Sequence, residues 1–208
     1  MEDTTINDEE SKNGKSKQLV SREEVETALG RKSDLSGMDL SGLDLSGLKF
    51  TGLNATGLDL SDANLSGGVI AAANVDQINL AGAELEGTVI AAANLAGANL
   101  QGANLRKAKF QMSNLDSADF SGADLTDTLW IATNVSNANF SETKTAGAKS
   151  SAVSWIAAKT LPAEMPEPLV STPRWAPFAV LGLAGSLLAF LFLRRRRKKE
   201  YVSLDAVE

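Results

Sequence analysis

The chain has 208 residues, a formal net charge of −6, 43% hydrophobic residues and only 5% aromatics. A helical or sandwich globule of this size leans on more aromatic volume, so the composition favours an interior of many small, similar side chains, as a repeat provides. Cysteine and histidine are both absent, which excludes disulfides, thiolate nucleophiles, Cys/His metal clusters and any general base that depends on imidazole, while the acidic balance argues against nucleic-acid binding by phosphate neutralisation.

Residues 1–18 are polar and charged with almost no apolar content, and read as a disordered tail. Residues 19–32 read as an N-terminal capping helix. Ser21 to Glu24 matches a capping box, Val25 and Leu29 fall on one face, and Gly30 ends it.

From Leu35 to Phe140 a large apolar residue stands at nearly every fifth position, and among these 22 positions only Ala55 is small. Two residues earlier the side chain is usually Ala, the intervening one is Asn or Asp, and Ser or Thr then Gly follow, giving A-(N/D)-L-S-G. A period of five fits neither the 3.6 of a helix nor the 2 of a strand. It fits a chain that turns a corner once per unit, with the large residue and the small one before it pointing inward. Stacked coils then pair their backbones at about 4.8 Å per layer, and Ser-Gly suits corners needing unusual backbone angles.

The coil length is also readable. Leu45, Leu65, Leu85, Leu105 and Leu125 form one column at twenty-residue spacing, and Phe50, Ile70, Ile90, Phe110 and Trp130 another; Val69 to Asn74 recurs as Val89 to Asn94. Four five-residue sides per coil give about 5.5 coils over residues 33–148, roughly 26 Å long. The expected fold class is all-β, a parallel β-helix solenoid with short helical caps and one C-terminal transmembrane α-helix.

The A-(N/D)-L-x-x pattern over residues 33 to about 147 resembles the pentapeptide-repeat family. That resemblance implies a right-handed quadrilateral β-helix. For function it implies less, since members include topoisomerase-binding DNA mimics and bacterial effectors. From Met38 to Leu58 the inward small position instead holds Met38, Leu43, Leu48, Leu53 and Leu58, so the first coils are expected to be wider or less regular.

Solenoid ends need covers, because an open last layer invites edge pairing. Residues 149–160, with Val153, Trp155 and Ile156, read as the C-terminal cap. All five prolines follow the repeat, and residues 161–174 read as a stiff Pro-rich spacer. Residues 175–193 carry no charge over 19 residues, enough to cross a hydrocarbon core of about 30 Å, and read as a single transmembrane helix. Residues 194–208 form a tail that opens with six consecutive basic residues, Arg194 to Lys199. That run favours a cytoplasmic tail with the solenoid on the opposite side. Yet Met1 to Gly14 lacks a hydrophobic export signal, so a tail-anchored protein with a cytoplasmic solenoid is the other reading. The stretch from Pro166-Glu-Pro168 through the arginine cluster also resembles a bacterial C-terminal sorting signal of the PEP type.

Two candidate sites follow. Val69, Val89, Leu129 and Ile131, with Met112 and Ala71, Ala72, Ala91, Ala92 and Ala132, replace outward polar residues at the coil spacing, so they should form one vertical docking stripe, interrupted by Lys109. Gly182, Gly185, Ser186 and Ala189 could pair membrane helices. The solenoid otherwise carries 13 carboxylates against five cations, a solvated acidic surface in the plain reading and a DNA-mimicking inhibitor of a type II topoisomerase in the alternative. No catalytic, metal or cofactor site is expected. The function expected is a membrane-anchored, non-catalytic scaffold whose partners are the bilayer and an unknown protein or a second copy, without nucleic acid.

Overall fold

The structure is a computed structural model and describes residues 21–169. It begins with α1 (Arg22–Gly30), where the Ser21 hydroxyl accepts a hydrogen bond from the Glu24 N–H as the sequence signature requires. Val25 is fully buried on the first coil. The Arg22 guanidinium donates to the carbonyls of Ser46 at 2.9 Å and Asp44 at 3.4 Å, pinning the helix to the rod.

The rest is a parallel β-solenoid of about six turns, with little helix. One side of each coil is a three-residue strand: β1 (Lys49–Thr51), β2 (Val69–Ala71), β3 (Val89–Ala91), β4 (Lys109–Gln111), β5 (Leu129–Ile131) and β6 (Lys149–Ser151), stacked in parallel in chain order. Register is an unbroken shift of twenty residues, Phe50 against Ile70, Ile70 against Ile90, Ile90 against Phe110 and Phe110 against Trp130. Along the other three sides the coils touch through single-residue parallel bridges such as Asp39 to Asp59 and Asn64 to Glu84.

Each corner has one cause. Every fifth residue from Lys32 to Ala152 adopts a left-handed φ, twelve of them glycine and thirteen not. On the bridged sides the corner is closed by a bond such as Ala98 N–H to the Leu95 carbonyl, 3.1 Å, around Gly97 at φ 67°. A positive φ at only the third residue of such a turn defines type II, which explains the Ser-Gly that ends the consensus. The preceding Asn or Asp supports the same corner, its Oδ1 accepting the N–H two residues on, as Asp39 does from Ser41 at 3.0 Å.

Inside, the central residues of the sides are almost all buried and form one continuous core with the small residues two positions earlier. Towards the C-terminal end this core is aromatic. Phe110 stacks on Trp130 with centroids 4.1 Å apart, and Phe120 on Phe140 at 4.9 Å. The Trp130 indole donates to the Thr128 hydroxyl at 2.9 Å, so the threonine standing where alanine is usual satisfies a buried N–H. No buried side-chain polar atom among the described residues lacks a partner.

Four sequence expectations need correction. The coils number about six rather than 5.5, because Thr145 and Ser150 hold central positions without apolar side chains while the backbone continues the ladder into β6. Lys149–Ser151 is therefore part of the solenoid, and the cap within 149–160 reduces to a 3-10 turn, Trp155–Ala157. There Trp155 lies 5.4 Å from the Trp130 ring and 5.3 Å from Phe140. Nor does the spacer begin at 161: Glu167–Pro168 forms β7 alongside β6, Pro162 and Pro166 are buried, and the Glu164 carbonyl accepts a 2.6 Å bond from the Thr145 hydroxyl. The first coils keep the ladder: Leu40 to Asp59 and Leu45 to Asn64 bond at 2.8 Å as the later layers do, and only the opening bond, Leu35 N–H to the Asn54 carbonyl, is longer, at 3.3 Å. Met38, Leu43 and Leu48 lie in the end layer, where they stay half-buried against the core with Ala28 and Leu29 of α1.

Among the described residues no helix is long and apolar enough to cross a membrane. The proposed transmembrane helix over 175–193, the basic tail over 194–208, the disordered tail over 1–18 and Gly182, Gly185, Ser186 and Ala189 lie outside the described residues.

Candidate docking wall

The strand-bearing side is chemically unlike the others. Its outer face is built from three parallel columns fixed by the register of β1 to β6. The first is Lys49, Val69, Val89, Lys109, Leu129 and Lys149, and the second is Thr51, Ala71, Ala91, Gln111, Ile131 and Ser151. The third is the corner column that follows each strand, Gly52, Ala72, Ala92, Met112, Ala132 and Ala152. The structure thus brings all five expected residues to one wall, but splits the expected single stripe into three. Val69, Val89 and Leu129 share the first column, Ile131 stands in the second and Met112 in the third. The reason is elementary: residues two or three apart on a side cannot stack above one another. Val69, Val89, Leu129 and Ile131 are half-buried, whereas Met112 is 67% exposed.

The corners of this wall differ too. After β2 to β5 they hold Ala72, Ala92, Met112 and Ala132 at φ of 49° to 50°, and no turn bond of the kind found elsewhere closes them. A left-handed side-chain-bearing residue costs roughly 1–2 kcal/mol relative to an unstrained one. The ladder holds it in place: Ala72 N–H reaches the Ala91 carbonyl at 3.0 Å and Ala92 N–H that of Gln111 at 2.9 Å. Only Gly52 offers the unstrained residue on this wall, so from the second coil onward the wall carries a methyl or larger group at every corner.

Charge is segregated in the same way. The 13 carboxylates between Asp34 and Glu142 all lie on the three bridged sides or their corners. On those sides three cations face acids, Lys107 pairing with Glu86 at 2.7 Å and Arg106 and Lys144 approaching Asp124 at 3.7 and 4.0 Å, while Lys159 beside the Asn139 bridge makes no ion pair among the described residues. Hydrogen bonding from Lys107, with its charge, holds the Glu86 carboxyl below its ordinary value. For Asp124, burial pushes upward but is outweighed by bonds from Thr126 and the charges of Lys144 and Arg106, leaving it lowered. Among the described residues, Lys49, Lys109 and Lys149 make no ion pair.

The first bridged side, adjoining the strand wall, carries a feature that sequence reading missed, a ladder of side-chain amides. Asn74, Asn94, Asn114 and Asn134 each donate Nδ2 to the Oδ1 of the asparagine one coil earlier, at 2.8 to 2.9 Å, starting from Asn54. No bridged column is an unbroken row of carboxylates; Asp39, Asp59, Asn79, Asn99, Asp119 and Asn139 show the typical mixture. Lys49 and Lys149 were also missed as members of the wall, although writing the sequence in rows of twenty would have aligned them with Lys109. An open depression lined by Thr143 to Ala146 with Ala163 and Glu164 marks the C-terminal end.

Compared with known proteins, the chain matches a family model described as pentapeptide repeats, in eight copies over residues 31–67, 71–106, 83–122 and 118–149, a little over half its length. No curated protein matches it. Among solved structures it is similar to a pentapeptide repeat protein from the cyanobacterium Cyanothece 51142, with 25% identity, 56% of this chain and 90% of that chain covered, and a TM-score of 0.41. HetL, a pentapeptide repeat protein involved in heterocyst differentiation regulation in the cyanobacterium Nostoc sp. strain PCC 7120, is 21% identical, with 65% of this chain and 64% of that one covered and a TM-score of 0.36. A pentapeptide repeat protein of the Arabidopsis thaliana thylakoid lumen is 30% identical over 48% of this chain and 66% of that one, with a TM-score of 0.33.

Proposed function

The chain belongs to the pentapeptide repeat family, and from that premise we propose that it is a non-catalytic docking module, a rigid rod tethered to a membrane through residues 175–193. The observation that carries this reading is the strand wall itself. A continuous parallel sheet whose outer columns are apolar or lysine, free of carboxylate from β1 to β6, is a flat contact surface rather than a cleft. Flatness suits docking and not the enclosure that catalysis needs.

The tether rests on the uncharged 19-residue run and the six basic residues after it. Moving those six charges across a membrane potential opposes transfer by roughly 2.3 kcal/mol per charge per 100 mV, which favours a cytoplasmic tail and a solenoid on the other side. Sodium carbonate washing of membranes carrying the full chain tests the tether, and labelling of the wall lysines by a soluble amine-reactive reagent in the same membranes tests docking. Retention in the washed pellet is expected, with Lys109 shielded from the reagent and exposed to it when Val89→Asp and Leu129→Asp are introduced together. Release on washing would contradict the tether, and equal labelling of Lys109 with and without those changes would contradict docking.

A further inference from the structure

We infer that the strand wall is the face the solenoid lays against an anionic bilayer, its lysines reaching the lipid phosphates and carboxylates while its apolar columns sit at the headgroup boundary. The inference rests on the tethered reading above, with anionic lipid in the leaflet that faces the solenoid, and adds what the wall touches.

Charge complementarity selects this occupant. An acidic rod held near a negative surface is repelled through any side that presents carboxylates, and 13 of them occupy the three bridged sides. The strand wall alone can approach. Lys49, Lys109 and Lys149 stand in one column and, among the described residues, pair with no acid. They sit three and then two layers apart, about 14 and 10 Å, and Val69, Val89 and Leu129 fill the layers between. The flanks are mixed: beside the neutral Asn54 to Asn134 ladder the adjoining side carries Asp76 and Asp116, and the corner column on the other holds Lys107 and Asp127. The one carboxylate on the sheet is Glu167, in β7 at its end beside Lys149.

Chain geometry agrees. β7 pairs with β6, so the chain leaves the solenoid at the edge of this same sheet. Only five residues separate Leu169 from Trp175, a reach of about 20 Å at full extension. That reach is long enough for a bilayer that holds residues 175–193 to meet the wall's C-terminal end. Each lysine at an anionic surface raises occupancy about fivefold, and three give on the order of a hundredfold. A second copy docked wall to wall, antiparallel, would instead bring Lys49 against Lys149.

The absence of native cysteine permits a direct test on the full chain. An environment-sensitive nitrobenzoxadiazole label is placed at Ala92→Cys on the strand wall, or at Glu142→Cys, a left-handed exposed corner of the opposite side. The chain is reconstituted in vesicles of phosphatidylcholine alone or mixed with phosphatidylserine. Severalfold brightening at Ala92→Cys is expected with phosphatidylserine, but not with phosphatidylcholine alone and not at Glu142→Cys. High salt, or the combined Lys49→Gln, Lys109→Gln and Lys149→Gln changes, should abolish it. Equal responses at the two labels, or none with phosphatidylserine, would overturn the inference. So would equal brightening by soluble poly-L-glutamate without vesicles, since that would assign the wall to an acidic protein. Carbonate washing of the same vesicles separates the two readings. Chain released but Ala92→Cys still responsive removes the tether and keeps the wall; chain retained without response does the reverse.

Discussion

Gly68 and Gly102 occupy neighbouring places in the repeat but answer to different constraints. Gly102 is a corner at φ 64° with open space where a Cβ would go, so Gly102→Ala adds backbone strain alone and should lower stability by about 1 kcal/mol. Gly68 has an ordinary φ, yet a Cβ there would lie 2.9 Å from both the Leu48 and Leu65 carbonyl oxygens. Because backbone must move, Gly68→Ala should cost more, about 2 kcal/mol. Denaturant unfolding of the two variants checks the order, and the reverse order would contradict it. Titration gives a second residue-scale expectation. Asp34, Asp39 and Asp44 lie below the ordinary carboxylate value, held there first by the hydroxyls of Ser36, Ser41 and Ser46 and then by their N–H groups. A lowered folded value means stability that is present above the ordinary carboxylate pKa of about 4 and lost as pH falls through the lowered values. Thermal midpoints should therefore drop on acidification below that point, and Asp39→Asn should flatten the drop.

At the scale of the element, the strands, ladder and cap each hold one layer to the next. Asn94→Ala removes two amide bonds of the ladder, to Asn74 and from Asn114, together with the bond from the Ala96 N–H. A loss of about 1–2 kcal/mol is expected for these partly exposed bonds, measurable by denaturant unfolding; an unchanged midpoint would make the ladder ornamental. Trp155→Ala strips the cover from Trp130 and Phe140. About 3 kcal/mol should be lost, and the bared last layer should raise self-association in sedimentation. The sequence made the apolar columns and α1 legible, because burial selects residue type strongly at fixed spacing. It hid β6 and β7, where backbone pairing alone carries the layer: Ser150 is only half-buried and Pro168 is exposed, so neither follows the apolar column. It hid the amide ladder as well, since an outward Asn reads as solvated until its neighbour one coil away is in place.

For the molecule as a whole, a twenty-residue coil does two jobs at once. It buries every fifth side chain, and it copies each outward position into a column, so that composition becomes surface pattern. That is why Val69, Val89, Met112, Leu129 and Ile131 could be placed on one wall from spacing. It is also why Lys109, which looked like an interruption, proves to be one of three lysines in the same column. The separation of charge among walls was invisible while carboxylates were summed over the chain, because a sum has no direction. Distances along the strand wall test this account most directly. With spin labels at Lys49→Cys and Lys109→Cys, three layers apart, and at Lys49→Cys and Lys149→Cys, five apart, separations of about 14 and 24 Å are expected, growing by one layer spacing per twenty residues. A Lys49→Cys to Lys149→Cys separation that departs from that proportion would contradict the stacked coil, and with it the wall.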